Sequence, residues 1–583
     1  MKQSVFNLNT LKAHPERNAF DLSHNDVFSC APGMLLPISC TEALPNEHYE
    51  INPQIFLRTM PLNSAAFVRL RQHIEFFFVP MRVLCRQFSQ FVVGTKYPIS
   101  SLSVLNDFNK TLPAIRLNQI RKWYLSTSAT DGLNVPLKEG SRRLFDLLGY
   151  GFSSSRGITE LNYPDQYKAS SPSITQDSPA LSVLRLACYQ KIYQDYYRNP
   201  YWESADASLF NFDDKFGSYL DATTDATRLN GLFTMRYRNW AKDFFTSVQP
   251  SFQGSPFTTK MINMDELYIA SQGSKSLGAG ESSGNLSGIR DMVNSSSSSL
   301  FSTLRTSSTE GPFDIPVHNI RAAFALDKLL RLQQQAGNGS YGEQIRNRFG
   351  FGGVHDDWKA TYLGGSSSPI SIGEVITTAN TEVQGENDST VLGQTGDIYG
   401  KASSVNDARI VFDTKEHGII MGIFSVIPDA DYNSFGIDPH NFKLSFEQFF
   451  QPEFDRLGHQ PLNTYFISST SISSDTNSTN WLQRVIGFQN RYLEYKTGID
   501  RVHGQFCTDG TLSAWSAPRN SGVLFDTAGG VFNLYSLKVS PKIMNSICSV
   551  TFDGNDRTDP ILVDSHIGIK AIRPMSVSDE PLL

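Results

Sequence analysis

The sequence predicts an all-β scaffold, a β-sandwich, and three observations carry that expectation. In residues 20–91 short apolar runs alternate with turn residues at Pro32-Gly33, Pro37, Pro45-Asn46, Pro53 and Pro61, the pattern of strands joined by punctuated connections. Within that stretch, residues 73–80 place three consecutive phenylalanines and a valine before a stopping proline. A strand apolar on successive residues buries both faces, here between a sheet and something packed on it. From residue 410 onward the chain returns to strand-like runs: RIVFD, GIIMGIFSVIP, NTYFISSTSIS, FNLYSLKVSP and ILVDSHIGIKAI. Strands at both ends, with long excursions between them, predict one sandwich closed by its N- and C-terminal segments.

Composition bounds the possibilities. The 583 residues suffice for several domains or for one β domain with large insertions, and 40% hydrophobic content with 40 phenylalanines provides an aromatic core. The formal charge is −6, and neither end carries a run of five or six basic residues, which argues against a charged tail that grips nucleic acid. Six cysteines are scattered without a C-x-x-C pair, so they read as small buried residues rather than disulfides or zinc ligands. The opening MKQSVFNLNT lacks an apolar signal core. The longest apolar run, residues 419–427, falls far short of the roughly 18 residues a membrane span needs. A soluble, intracellularly made chain without membrane insertion is expected.

Between its β-rich ends the chain changes character. Residues 101–180 are mixed and polar. A helix is expected next, capped by Ser178 with Pro179 in its first turn. Its apolar face would hold Val183, Leu184, Ala187, Ile192 and Tyr196, and Asn199-Pro200 would stop it. Residues 271–311 contain fourteen serines and six glycines, too polar to form a core of their own, and read as a loop or surface insertion. A second helix is expected over about 320–335, with Leu326, Leu329 and Leu330 inward. Residues 364–405 are again rich in Gly, Ser and Thr.

Catalytic and metal chemistry find little support. There is no H-E-x-x-H and no Cys/His spacing that suits zinc. His355-Asp356-Asp357 and Glu416-His417 are the densest groups, and both read better as hydrogen-bonded turns or subunit contacts than as acid–base or metal pairs. Gly350-Phe351-Gly352-Gly353 lacks the Lys-Ser/Thr of a phosphate loop. No catalytic residue, metal or cofactor is assigned. The best nucleic-acid candidate is the basic–aromatic interleave of Arg484, Phe488, Arg491, Tyr492, Tyr495, Lys496 and Arg501. It supplies aromatic faces for stacking bases and cations for phosphates, as single-stranded DNA requires. The same residue types also brace protein interfaces, so an inner DNA-facing surface and a subunit contact both stay open.

The order of the pieces adds a family resemblance. Asp21-Leu22-Ser23, Gly33-Met34-Leu35-Leu36-Pro37, Glu42-Ala43-Leu44-Pro45, Arg58-Thr59-Met60-Pro61 and Phe76-Phe77-Phe78-Val79-Pro80 resemble the N-terminal part of microvirus major capsid proteins. These proteins are the shell subunits of small single-stranded-DNA bacteriophages. Further matches follow in family order to about residue 520. They include Asp243-Phe244-Phe245-Thr246-Ser247, Asn319-Ile320-Arg321, Pro428-Asp429-Ala430-Asp431-Tyr432 and Asp500-Arg501-Val502-His503-Gly504. The chain departs at Asn46-Glu47, where Pro-Gly-Asp is usual, and at Met81 and Cys85, where Asn and Trp are common.

The resemblance, closest to gokushovirus-like members, implies an eight-stranded antiparallel jelly roll with long helix- and loop-containing insertions. It would be one capsid domain over residues 1–583, with 271–311 as an outward insertion loop. It implies a non-enzymatic subunit, sixty copies of which form a T=1 icosahedral shell around circular single-stranded DNA. The expected partners are other copies of the chain, the genome, a small basic DNA-packaging protein, a DNA pilot protein, an internal scaffolding protein and a host surface receptor. The expected location is the virion, assembled in the host bacterial cytoplasm. The rival reading is a glycan-binding or carbohydrate-active phage β-sandwich, which paired carboxylates over an aromatic groove would favour.

Overall fold

The computed structural model describes residues 16–93, 111–151 except 132 and 134, 179–250, 358–376, 378, 381–385, 388–393, 398–455, 458–469, 485–519, 537–552 and 559–577. The chain divides into two units, one of Met1–Val248, Asp357–Gln451 and Pro461–Leu583, the other of Gln249–Asp356 and Pro452–Gln460. The architecture that follows belongs to the first.

Ten strands make its principal sheet. They are β1 (Asn18–Asp21), β2 (His24–Cys30), β3 (Leu36–Ala43), β4 (His48–Thr59), β5 (Leu70–Pro80), β6 (Thr361–Ile376), β7 (Ile398–Asp407), β8 (Ile410–Asp413), β9 (Gly418–Pro428) and β10 (Ile561–Arg573). Eight lie on one path of hydrogen-bonded neighbours, β1-β10-β4-β7-β6-β5-β9-β3, while β2 joins β10 and β8 joins β4. Every pairing is antiparallel. The C-terminal strand β10 lies against β1, β2 and β4, so the two ends of the chain close the sheet as expected. The sheet turns through β6, which pairs with β5 over residues 361–370 and with β7 over 371–376. This curled antiparallel sheet, with helices and loops inserted between its strands, is an all-β jelly roll.

Burial follows the two periods that the residues dictate. In β4, Tyr49, Ile51, Ile55 and Leu57 point inward and alternate with partly exposed residues; in β10, Ile561, Val563, Ile567, Ile569 and Ala571 do the same. Strand β9 and the second half of β5 are buried on both faces. The three phenylalanines explain why. Phe77 turns to one side and meets Tyr196 and Tyr197, with ring centroids 4.8 and 5.9 Å away. Phe78 turns to the other and packs on Phe412 of β8 at 5.1 Å. Fully burying such a ring is worth about 1.5–3 kcal/mol. Two glycines of β9 admit these rings. A Cβ on Gly418 would lie 2.3 Å from the Phe78 ring and 2.8 Å from the Val79 carbonyl oxygen, and one on Gly422 would lie 2.8 Å from the Phe76 ring.

Tyr196 and Tyr197 belong to the helix expected after Ser178, which differs from expectation in two respects. Residues Ala180–Ser182 form a short strand pairing with Ala114–Arg116, and the α-helix begins at Leu184 and continues as a π-turn over Tyr193–Tyr197. Backbone bonds to a neighbouring strand outcompete the Ser-Pro start signal. The helix is also buried almost all round rather than on one face, because it lies against β5 and β9 under the other helices. It stops before Asn199-Pro200, as read. Of the later runs, RIVFD, GIIMGIFSVIP and ILVDSHIGIKAI are strands. Of NTYFISSTSIS, only Asn463 lies in a strand, as the last residue of His459–Asn463, and the rest of its described part does not continue it. Thr464–Phe466 form a 3-10 turn, in which Tyr465 stacks on Phe442 at 4.4 Å and accepts a bond from Asn463 at 2.8 Å. Described residues 537–541 of FNLYSLKVSP contribute only an isolated bridge from Lys538 to Asn239. The 271–311 insertion and the helix at 320–335 lie outside the described residues.

Buried ion pairs fasten the excursions to the sheet. Arg143, on the Leu137–Leu147 helix, donates two 2.6 Å bonds to the two oxygens of Asp559, just before β10. Asp559 also accepts from Ser29 Oγ of β2 at 2.6 Å. Glu75 of β5 accepts from Arg238 at 2.8 Å and from the Tyr197 hydroxyl. At the unusual Asn46-Glu47 turn, Asn46 takes the left-handed region, φ +64°, that asparagine tolerates better than most residues. The buried Glu47 carboxylate accepts from the Leu44 amide at 2.7 Å and the Tyr49 hydroxyl at 2.6 Å, and pairs with Arg573 of β10 at 3.0 Å.

Candidate functional site

The groups of interest are the sequence-flagged side chains and those that the jelly-roll frame presents to solvent. Nothing described here resembles a metal centre: among the described residues no group of three or more His, Cys, Asp or Glu could hold an ion. Glu416 forms a 2.7 Å ion pair with Arg82, and the His417 ring packs edge-on against Phe88 at 5.6 Å, so this pair makes structural contacts. His355-Asp356-Asp357 lie outside the described residues. All six cysteines are free thiols, five of them buried. Burial pushes the Cys40 thiol up to about 11 and the Cys548 thiol up to about 12, which keeps both protonated and unreactive. No helix among the described residues is long and apolar enough to cross a membrane.

The basic–aromatic interleave spans the strand Val485–Asn490, a 3-10 turn over Leu493–Tyr495 and the two-residue strand Arg501–Val502. Arg484 lies outside the described residues, and Phe488 is half-buried on its strand. Arg491 sits over the Tyr492 ring at 5.2 Å. Tyr492 itself is buried, adopts a left-handed φ of +59°, and donates to the Phe449 carbonyl at 3.2 Å. Its ring is packed against Phe450 at 5.2 Å and offers no open face for a base. Tyr495 is exposed but carries Lys443, whose Nζ lies 3.7 Å from the ring centroid. Lys496 is exposed, with its amine 3.4 Å from the Arg491 carbonyl oxygen. Arg501 is mostly buried and lies 3.4 Å from Asp438. The structure therefore gathers Arg491, Tyr492, Tyr495 and Lys496 around one turn, and sets Arg501 to a different task in pairing with the strand at Tyr432–Asn433.

That turn supports a neighbouring feature that sequence reasoning missed. The segment from Lys443 to Gln451 presents Leu444, Phe446, Phe449 and Phe450 to solvent, all four exposed. It is nonetheless well anchored. Lys443 forms a buried 3.0 Å ion pair with Glu494, and the Gln448 side-chain oxygen accepts from the amides of Leu444 and Ser445 at 2.6 and 2.9 Å. The available signal was three phenylalanines and a leucine within the seven residues LSFEQFF, too short and too mixed to read as a strand or a helix. A second missed feature is Trp358, half-exposed beside Arg86 at 4.8 Å and Arg82 at 5.8 Å. Those arginines come from the segment after β5 and are distant in sequence from the tryptophan, so no local pattern reveals the stack.

Comparison with known proteins bears on what such surfaces are for. Residues 9–115 and 153–526 match the family described as "Capsid protein (F protein)", a span that covers every strand of the principal sheet except β10. The chain is also similar to the capsid protein VP1 of Chlamydia phage 1, with 24% identity over 97% of this chain and 95% of that protein. A match of this extent, on a curled antiparallel jelly roll with anchored apolar surfaces, places the chain in the phage F-type capsid protein family.

Proposed function

We propose that the chain is a non-enzymatic shell subunit that assembles in the host bacterial cytoplasm, sixty copies enclosing a circular single-stranded DNA genome in a T=1 capsid. The observation that carries this reading is the family match over nine of the ten strands of the jelly roll and most of its insertions, since both would shape contacts between neighbours. A wedge-like sandwich supplies the rigid frame, and its short protected edges prevent open-ended strand addition. The contact area per subunit should exceed the roughly 2,000 Å² at the top of the standard range, because the excursions carry more apolar surface than a lone jelly roll covers. A small basic packaging protein, a pilot protein, an internal scaffolding protein and a host receptor are the further partners in this reading. The carbohydrate-active alternative finds no support in the comparisons.

The DNA-facing role is proposed for Arg491 and Lys496, which stay accessible beside the Tyr492 turn. Replacing both by Ala should lower the DNA content of purified particles while shells still form. Failure to form shells would assign the turn to a subunit contact, and unchanged DNA content would remove it from both roles. The 271–311 insertion is proposed to project outward, where unpaired polar backbone meets water. Limited proteolysis of intact particles should then cut it first, and protection of that segment while other loops are cleaved would contradict this.

A further inference from the structure

We infer that the Lys443–Gln451 segment is an assembly hook whose apolar face is covered in the shell by a second copy of this chain. The inference rests on the capsid reading above and adds to it which surface makes a contact. Leu444 is 87% exposed, Phe446 76%, Phe449 50% and Phe450 44%. Together they leave on the order of 500 Å² of apolar surface in water, taking about 200 Å² for each whole side chain. A soluble monomer rarely exposes a contiguous apolar patch larger than a few hundred Å². That area is nearly two-thirds of the roughly 800 Å² that each partner contributes to a standard interface.

Three features distinguish the hook from a loose loop. The Gln448 side chain closes its turn, the buried Lys443–Glu494 pair fixes its start, and Tyr492 holds its end through the Phe449 carbonyl. Its ordering is therefore complete before association, which removes part of the entropic cost of binding. Lys443 is neutralised by Glu494, which leaves Glu447 as the one other charged residue of the segment, and the projecting side chains Leu444 and Phe446 suit an apolar receiving surface. In a shell built from one repeated chain, that surface belongs to another copy.

The test compares the full wild-type chain with Leu444→Asp/Phe446→Asp and with Leu444→Met/Phe446→Leu, following particles by sedimentation and negative-stain microscopy. Because both side chains are exposed in the lone subunit, the Asp pair should keep wild-type circular dichroism and melting. Its particle yield should fall by more than about tenfold, the effect of losing roughly 1.4 kcal/mol at one contact. The Met/Leu pair should assemble normally. Wild-type particle yield from the Asp pair overturns the hook. Should the Asp pair fail to fold, Phe446→Ser alone carries the same expectation. Resistance of a Phe446→Cys thiol to labelling in the unassembled chain would mean that another part of the same chain covers the segment, and also overturns it. A wild-type chain that never assembles refutes the capsid reading itself, which is a separate outcome.

Discussion

The buried Arg143–Asp559 pair makes a sharp quantitative test of how the helical excursion is held to the sheet. Both side chains are almost fully enclosed, at 8% and 2% exposure, and the guanidinium meets the carboxylate through two 2.6 Å bonds. Removing one partner leaves the other as an uncompensated buried charge. Arg143→Met or Asp559→Leu alone should each cost about 3–5 kcal/mol. If the effects added, the double variant would lose about 6–10 kcal/mol and would not fold. It should instead lose only about 1–2 kcal/mol, because two apolar groups of similar size replace the pair, while the Ser29 hydroxyl loses its acceptor and the Ser29 carbonyl its 3.4 Å contact with Arg143. Urea unfolding of the unassembled chain, followed by far-UV circular dichroism, measures all three. A double variant as unstable as the sum of the singles would show that the pair does not act as a unit, and would refute this reasoning.

Three further outcomes follow from particular residues. Gly418→Ala should destabilise the chain by about 1–3 kcal/mol, since its new methyl meets both the Phe78 ring and the Val79 carbonyl. Phe78→Leu in the same chain should recover part of that loss in thermal melts, and no recovery would move the strain to the backbone. His73 gives a pH dependence: burial, with Arg238 and Arg71 nearby, pushes it down to about 4 from the ordinary 6.5. The unfolded chain then takes up a proton below pH 6.5 that the folded chain resists, so stability present above pH 6.5 is lost as pH falls toward 4, by roughly 1–3 kcal/mol. The raised carboxyls of Asp131, Asp195 and Asp431 act in the opposite sense, so the measure is the difference between wild type and His73→Gln. That variant should melt with a flatter acid limb, and identical curves would remove His73 from the account.

How much of this was legible depended on whether the cause was local. Residues 73–80 announced a doubly buried strand because each phenylalanine has its own partner, Phe77 on the helix side and Phe78 on β8. Strands β9 and β10 could be read from their apolar content alone. Strand β6, the longest of the ten, and β7 fell in a stretch whose Gly and Ser suggested no strand. There the small residues serve close approach: a Cβ on Gly365 would come within 2.2 Å of the Ile74 carbonyl oxygen. A hydroxyl seam also replaces apolar packing. Gln72 donates to Ser404 at 2.9 Å, and Ser366 donates to Asn406 at 2.7 Å. Such contacts join residues more than 300 and 40 positions apart, respectively, which no window along the sequence can see. The candidate surface was half legible for the same reason. The sequence flagged Arg491 and Lys496 by type, but the burial of Tyr492 and the exposure of the 444–450 hook depend on how one turn packs on another.

The most direct test of the central claim is to express the chain and examine the product by electron microscopy and mass photometry. The account predicts closed, uniform particles with a mass near sixty times the 65.0 kDa chain, or rings of the chain that close into such particles when the accessory virion proteins are supplied. A stable, monodisperse monomer that does not associate at high concentration, with or without those proteins, would contradict it.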